Sequence, residues 1–313
     1  MKKSILAGSA VVALGLALSA APAAQATACG TPSFYVNDDS HNIVNYSATG
    51  AVLSTVPYSS SFLNEGYGDI ALSLDHATVY GVFNDETNDF DVLNASTGAV
   101  TSTVTLTGDA AFIGGWVGAA ILPDGQLAIG SAGNSSIYKV NVSDGTSTVW
   151  VDMADADSHI VSTAGDFALL PDGDELALGR LDNDEQYSAV VRIHNNVPTV
   201  VGKLPAAWGA GRVGDSIFVA GADGKIYRAD NIPTAAGDAV LTTTVVKDTA
   251  LNESLWGGAG TQDGETGSCP LPSASSKKKL ANTGSNSDAL ELGLGFAAAG
   301  ALALAFAARR RNA

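Results

Sequence analysis

Basic residues are scarce in the body of this chain. Between residues 27 and 272 there are 8 Lys and Arg against 30 Asp and Glu, a net charge of −22, and the other 8 Lys and Arg sit at the two ends. Such a body repels phosphate backbones, which excludes a nucleic-acid binder. Charge of either sign is sparse: 15% of the 313 residues are charged and 46% are apolar, which excludes an acidic disordered tail. Cysteine is limited to Cys29 and Cys269, and histidine to His41, His76, His159 and His194. No His-x-x-x-His or paired-Cys spacing is present, so no metal site is assigned, and there is no Gly-x-Ser-x-Gly elbow for a serine hydrolase. No segment of the body keeps an apolar helical period for three turns.

What is present begins with the two ends. Lys2 and Lys3 precede the uncharged apolar run Ile5 to Ala20, and Ala24-Gln25-Ala26 follows. A positive start, a short apolar core and a small-x-small site read as a secretory signal peptide over 1–26. At the other end, Leu280-Ala281-Asn282-Thr283-Gly284 precedes Ala289 to Ala308, 20 residues whose one charge is Glu291, and then Arg309-Arg310-Arg311. Twenty apolar residues suffice for a transmembrane helix, and the arginines hold its end on the cytoplasmic side.

The ordered set of pentapeptide, span and arginine stop over 280–313 resembles the cell-wall sorting signal of Gram-positive surface proteins, L-P-x-T-G, with Ala281 where Pro is common. It is similar to the L-A-x-T-G form used in high-GC Gram-positive bacteria. The resemblance implies a sortase partner that cuts between Thr283 and Gly284 and joins Thr283 to peptidoglycan, so the protein is expected at the cell wall and surface. Residues 270–279, rich in Pro, Ser and Lys, form a short linker before the motif.

The middle, 27–269, is a repeat. Asn45 to Val52 matches Leu93 to Val100 at a shift of 48, and Leu122-Pro123-Asp124-Gly125 recurs as Leu170-Pro171-Asp172-Gly173, again 48 apart. Each unit holds short alternating runs rich in Val, Thr, Ile and aromatics; in the second these are Ile70–Leu74, Thr78–Phe83, Phe90–Asn94 and Val100–Leu106. Four short strands in fewer than 50 residues describe a β-propeller blade. The first unit, Ser33 to Val56, lacks an innermost strand, and an unpaired one stands at Leu255 to Gln262. The fold expected is therefore all-β: a five-bladed propeller whose first blade is closed by the C-terminal inner strand, with later blades starting near Gly66, Gly115, Thr163 and Trp208. The L-P-D-G turns and A-S-T-G connections resemble those of bacterial propellers of the Y-V-T-N and gluconolactonase-like groups. Closure brings Cys29 and Cys269 to one edge of that blade. A disulfide there would contribute ~4–5 kcal/mol by constraining the unfolded chain; the alternatives are two free thiols or a lipid-modified Cys29, which orphans Cys269.

No catalytic set is assigned. Asp69 and Asp166 on inner strands, Glu65 nearby, and His159 at the start of an inner strand are the residues that could serve a channel site. Metal-dependent propeller lactonases place Glu, Asn and Asp there, so a metal-dependent hydrolase or lactonase is the alternative function. Acidic loops such as Asp152/Asp155/Asp157, Asp172/Asp174/Glu175 and Asp182/Asp184/Glu185 offer oxygen ligands, which makes Ca2+ the one cofactor to consider. Aromatics give a clearer pattern: Trp116, Trp208 and Trp256 each stand where an inner strand begins, with Tyr67 near the equivalent place. They form either a binding ring at the channel mouth or packing between blades. The function expected is binding of an extracellular ligand or partner at the cell surface.

Overall fold

The computed structural model describes residues 31–62, 66–85, 87–249 and 255–271. The expected signal peptide, Cys29, Glu65, most of the expected linker and the expected sorting signal lie outside them. Among the described residues no helix is long and apolar enough to cross a membrane.

Five antiparallel sheets make five blades. Blade 1 orders Leu255–Gly260, Ser33–Asp38, Asn42–Ser47 and Val52–Pro57 from axis to rim. Blade 2 follows with Tyr67–Leu72, Thr78–Phe83, Asp89–Asn94 and Val100–Thr105. Blade 3 has Trp116–Ile121, Leu127–Ser131, Ser136–Val140 and Thr146–Asp152. Blade 4 has Ile160–Leu169, Glu175–Leu181, Tyr187–His194 and Val197–Pro205, and blade 5 has Ala207–Val213, Ser216–Gly221, Lys225–Ala229 and Thr243–Asp248. The innermost strands touch in cyclic order and close between blades 1 and 2. Blade 1 is closed by the C-terminal strand, which pairs Phe34 with Gly260 and Val36 with Gly258. The five-bladed, all-β architecture expected from the repeat is thus the one present.

Two strand limits move. The inner strand of blade 2 starts at Tyr67 and not Ile70, because Tyr67 pairs with Phe83 across a bulge at Gly68. The closing strand stops at Gly260 and not Gln262, because the chain turns there: the Asp263 carboxylate accepts from the amides of Gly260 and Arg212.

The hydrophobic core is split into five wedges, one in each gap between adjacent blades. Blades 5 and 1 share Phe34, Tyr46, Val213 and Phe218; blades 1 and 2 share Ile43, Tyr58, Tyr67 and Ile70. Blades 2 and 3 share Phe90, Trp116 and Tyr138, blades 3 and 4 share Ile137, Met153 and Phe167, and blades 4 and 5 share Leu178, Leu204 and Val219. No blade buries its own faces alone, which is why a repeat of this kind folds only as a ring.

The Thr-Gly and Asp-Gly turns of the repeat have a specific task. Gly50, Gly98 and Gly145 all have positive φ, and a Cβ on each would strike a backbone oxygen of the preceding blade's outer strand: Val246, Pro57 and Thr105. The turns seat each blade on its neighbour, so glycine is required both for conformation and for clearance.

Candidate functional site

All five innermost strands run in the same direction, so their starting ends define one face, the mouth. The axis behind it is filled. Asp69 of blade 2 and Asp166 of blade 4 are fully buried and face each other on the axis. The other three blades contribute main-chain donors. The Ala119 amide donates to Asp69 Oδ2 at 2.8 Å and to Asp166 Oδ1 at 3.1 Å; the Gly258 amide donates to Asp69 Oδ1 at 2.9 Å and to Asp166 Oδ2 at 2.8 Å; the Ala210 amide donates to Asp166 Oδ2 at 2.8 Å. Burial raises both carboxyls above the ordinary range, and Asp166 also faces the charge of Asp69. The pair therefore keeps a shared proton near neutral pH. Space is tight: a Cβ at Gly257 would lie 1.9 Å from Asp69 Oδ1. Two of the residues considered for a channel site thus form a staple between blades, with their oxygens occupied by backbone amides and no surface open to a substrate.

The far end of the axis is covered by the chain after the closing strand. Gln262 is fully buried and its Oε1 accepts from the Gly214 amide at 2.7 Å. At Gly264 the backbone lies against Leu74 and Ile121. Buried Arg212 fastens the segment, donating to the carbonyls of Gly214 and Glu265 at 2.8 Å and to that of Gly267. His76, at the turn equivalent to Gly125 and Gly173, joins through Nε2 to the Thr261 carbonyl at 2.8 Å, so it is a tie between blades and not a solvated turn residue. Cys269 follows, 4% exposed, its amide donating to Asp215. No free cysteine occurs among the described residues.

At the mouth the expected aromatic ring divides. Trp116 is fully buried, edge-on to Tyr138 at 5.7 Å, and Tyr67 is 2% exposed with its hydroxyl donating to Asp91 at 2.8 Å. Both pack between blades. Trp208 is 40% exposed and Trp256 is half-buried beside it, ring centroids 6.1 Å apart. Register explains the division for the tryptophans. Trp208 and Trp256 stand two residues before the axial amides of Ala210 and Gly258, whereas Trp116 stands three before that of Ala119. A shift of one residue in a strand turns the side chain to the other face. Trp116 accordingly takes the place of Ala207 and Leu255, both 2% exposed, and not that of the other two tryptophans.

Other mouth residues escape a search for tryptophans. Phe62, Phe112, Ile113 and Val161 are 45%, 89%, 40% and 40% exposed, and each lies at or just before the start of an inner strand. With Trp208 and Trp256 they supply an apolar side chain at the mouth from every blade. His159 sits on the same rim, exposed, with Nδ1 2.9 Å from Asp182. Beside Trp256 a cavity of about 240 Å³ opens between blades 1 and 2, lined by Asp38, Asp39, Asp85, Tyr67 and Phe83.

The acidic loops weighed for calcium are largely engaged with the protein itself. Asp172 and Asp174 hold Arg192, with Asp174 at 2.6 Å from Nε; Asp174 also meets His194 at 2.7 Å, and Asp184 meets Lys203 at 3.0 Å. Among the described residues no group of three or more His, Cys, Asp or Glu is arranged to hold a metal ion.

No protein-family model and no curated protein matches the chain. Solved structures resemble it at low identity. Hydrazine synthase of Kuenenia stuttgartiensis is 16% identical at a TM-score of 0.35, over 63% of this chain and 53% of that one, so this chain spans about half its length. Virginiamycin B lyase from Staphylococcus aureus is 15% identical at 0.39, over 72% and 73%. A protein of unknown function from Bacteroides caccae is 11% identical at 0.43, over 74% and 99%.

Proposed function

We propose that this chain is a secreted surface protein, tethered to peptidoglycan through Thr283 by a sortase, whose propeller docks a macromolecular partner on its mouth face. The observation that carries the docking reading is the set of exposed apolar side chains Phe62, Phe112, Ile113, Val161 and Trp208, with half-buried Trp256 beside Trp208, at the mouth of a strongly acidic body. Contiguous exposed apolar surface rimmed by polar groups marks interaction sites. The tether supports the same reading. Thr31 and Leu271 both lie at the end opposite the mouth, beside Ser47 to Thr49. Thr283 stands twelve positions after Leu271, a reach of about 40 Å when extended. A body held this way keeps its tethered end toward the wall and its mouth outward. A disulfide between Cys29 and Cys269 would lock the two chain ends together where the tether leaves.

The alternative hydrolase reading has lost Asp69 and Asp166 to the axial staple. The test is a photo-crosslinker, benzoylphenylalanine, placed at Trp208 on living cells. A discrete adduct is expected there, and none with the same group at Leu74, which is exposed on the opposite face. Equal labelling from both positions, or none from Trp208, overturns the docking reading.

A further inference from the structure

The cavity between blades 1 and 2 has an uncompensated charge. Asp38 ends the strand Ser33–Asp38 and Asp39 follows it in the turn, and Asp85 comes from the loop after Thr78–Phe83. None of the eight ion pairs among the described residues involves any of the three. Asp38 is bonded within its own turn: Oδ1 accepts from the Ser40 and Asn42 amides at 2.9 and 2.8 Å, and the Asn42 side-chain amide donates to both its oxygens at 3.2 Å. Asp39 Oδ1 accepts from Trp256 Nε1, and Asp85 Oδ1 accepts from the Thr87 amide at 2.8 Å. Asp85 Oδ2 is buried and accepts no hydrogen bond at all. A buried carboxylate oxygen without a donor is an unmet demand, and its residue lines the cavity.

The walls are aromatic. Trp256 and Phe83 line the space with Tyr67, and His41, Tyr58 and Tyr67 continue as a stack with centroid spacings of 5.5 and 4.7 Å. Anionic oxygens beside aromatic rings suit an organic cation, which gains from both the carboxylates and the ring faces. At about 240 Å³ the space is smaller than the roughly 300–1,000 Å³ that encloses a whole small-molecule ligand, and so fits one side chain.

We infer that this cavity receives an arginine or lysine side chain of the partner polypeptide, while the partner's apolar residues rest on the neighbouring ring of Trp208 and Trp256. This deepens the docking reading and rests on it. It makes Asp39 and Asp85 the residues that choose the partner's charge, and Trp256 the shared wall of pocket and ring.

The test uses the ¹⁵N-labelled protein and acetylated, amidated pentapeptides Leu-Ala-Xaa-Ala-Leu, where Xaa is arginine, lysine, citrulline, norleucine or glutamate. The indole N–H resonances of Trp256 and Trp208 are followed. Arginine and lysine peptides are expected to move Trp256 and to bind roughly tenfold more tightly than citrulline or norleucine, with the advantage shrinking as salt is raised. Asp39→Asn and Asp85→Asn should each weaken the arginine peptide several-fold, and Asp75→Asn on the opposite face should not. Equal binding of the citrulline peptide overturns the cation assignment, as does failure of every peptide to move Trp256. Spermidine matching the arginine peptide would assign the pocket to a free polyamine, and calcium chloride displacing that peptide would assign it to a metal ion; either overturns the proposal. The cross-link at Trp208 separates the two readings: an adduct that persists unchanged in the Asp39→Asn, Asp85→Asn double variant leaves the docking face standing and removes the cationic pocket.

Discussion

Two residues of the same type, Trp116 and Trp208, have opposite roles in this ring. Trp116 fills the wedge between blades 2 and 3, and Trp208 faces solvent at the mouth. Trp116→Ala should cost ~3–5 kcal/mol, through lost burial and the cavity left behind. In a ring of this size that lowers the melting temperature by roughly 6–20 °C. Trp208→Ala should leave the melt within a few degrees of the parent, because its burial is incomplete; a calorimetric scan of the two variants decides. Asp69, Asp166 and Asp263 set the pH response in an unusual sense. Burial raises all three, Asp263 to about 7. A carboxyl whose folded value is raised contributes its full stability below the unfolded value near 4, and loses it as pH rises through the folded value. Asp75, held low by the Ser73 hydroxyl, acts in the opposite sense on the acid side. The protein should therefore lose stability as pH rises from about 4 to about 8, and Asp69→Asn, which removes one of the two facing carboxyls, should flatten that loss. Melting temperatures of both proteins across the range test this; a parallel decline would mean the axial pair does not titrate there.

At the scale of elements the decisive strand is Leu255–Gly260. It is the last strand in sequence and the innermost of the first blade, and it donates the Gly258 amide to both axial carboxylates. A chain ending before Leu255 should leave blade 1 with an open inner edge and the axial pair short of one donor. The expected outcome is loss of cooperative unfolding for the whole ring, seen as a broad, weak transition by circular dichroism, and not the trimming of one blade. Outer edges are managed differently. Thr107–Gly108 pairs in parallel along the rim of blade 3, and the chain around Val240 bridges to Lys203 at the rim of blade 4. Both segments come from connections between strands, so rim protection uses chain that the blades themselves do not need.

For the whole molecule, the mouth and the described chain ends lie on opposite faces. The mouth carries Trp208 and its exposed apolar neighbours, and the described chain begins and ends at the other end. If a sortase joins Thr283 to the wall, Thr283→Ala should move the protein from the muramidase-released wall fraction to the membrane fraction without altering its melting temperature. Recovery of the variant as a peptidoglycan ladder would show that Thr283 is not the point of linkage.

The sequence by itself determined the number of blades and how the ring closes. A period of 48 residues, alternation within each run, and one strand missing from the first unit but present after the last are local or countable properties, and they suffice because each blade is held by its own turns. What only the tertiary structure decided lies between blades. Asp69 and Asp166 are 97 positions apart, and nothing in either neighbourhood shows that they meet on the axis and exhaust their oxygens on amides of three other blades. The exposure of Trp208 and burial of Trp116 turn on a one-residue difference in register that strand patterns do not resolve. The pocket at Trp256 joins residues from both ends of the chain, Asp38 and Trp256, because the ring closes there. Repetition is written in short-range spacing, whereas a site built at a seam depends on which side chains the closure turns toward one another.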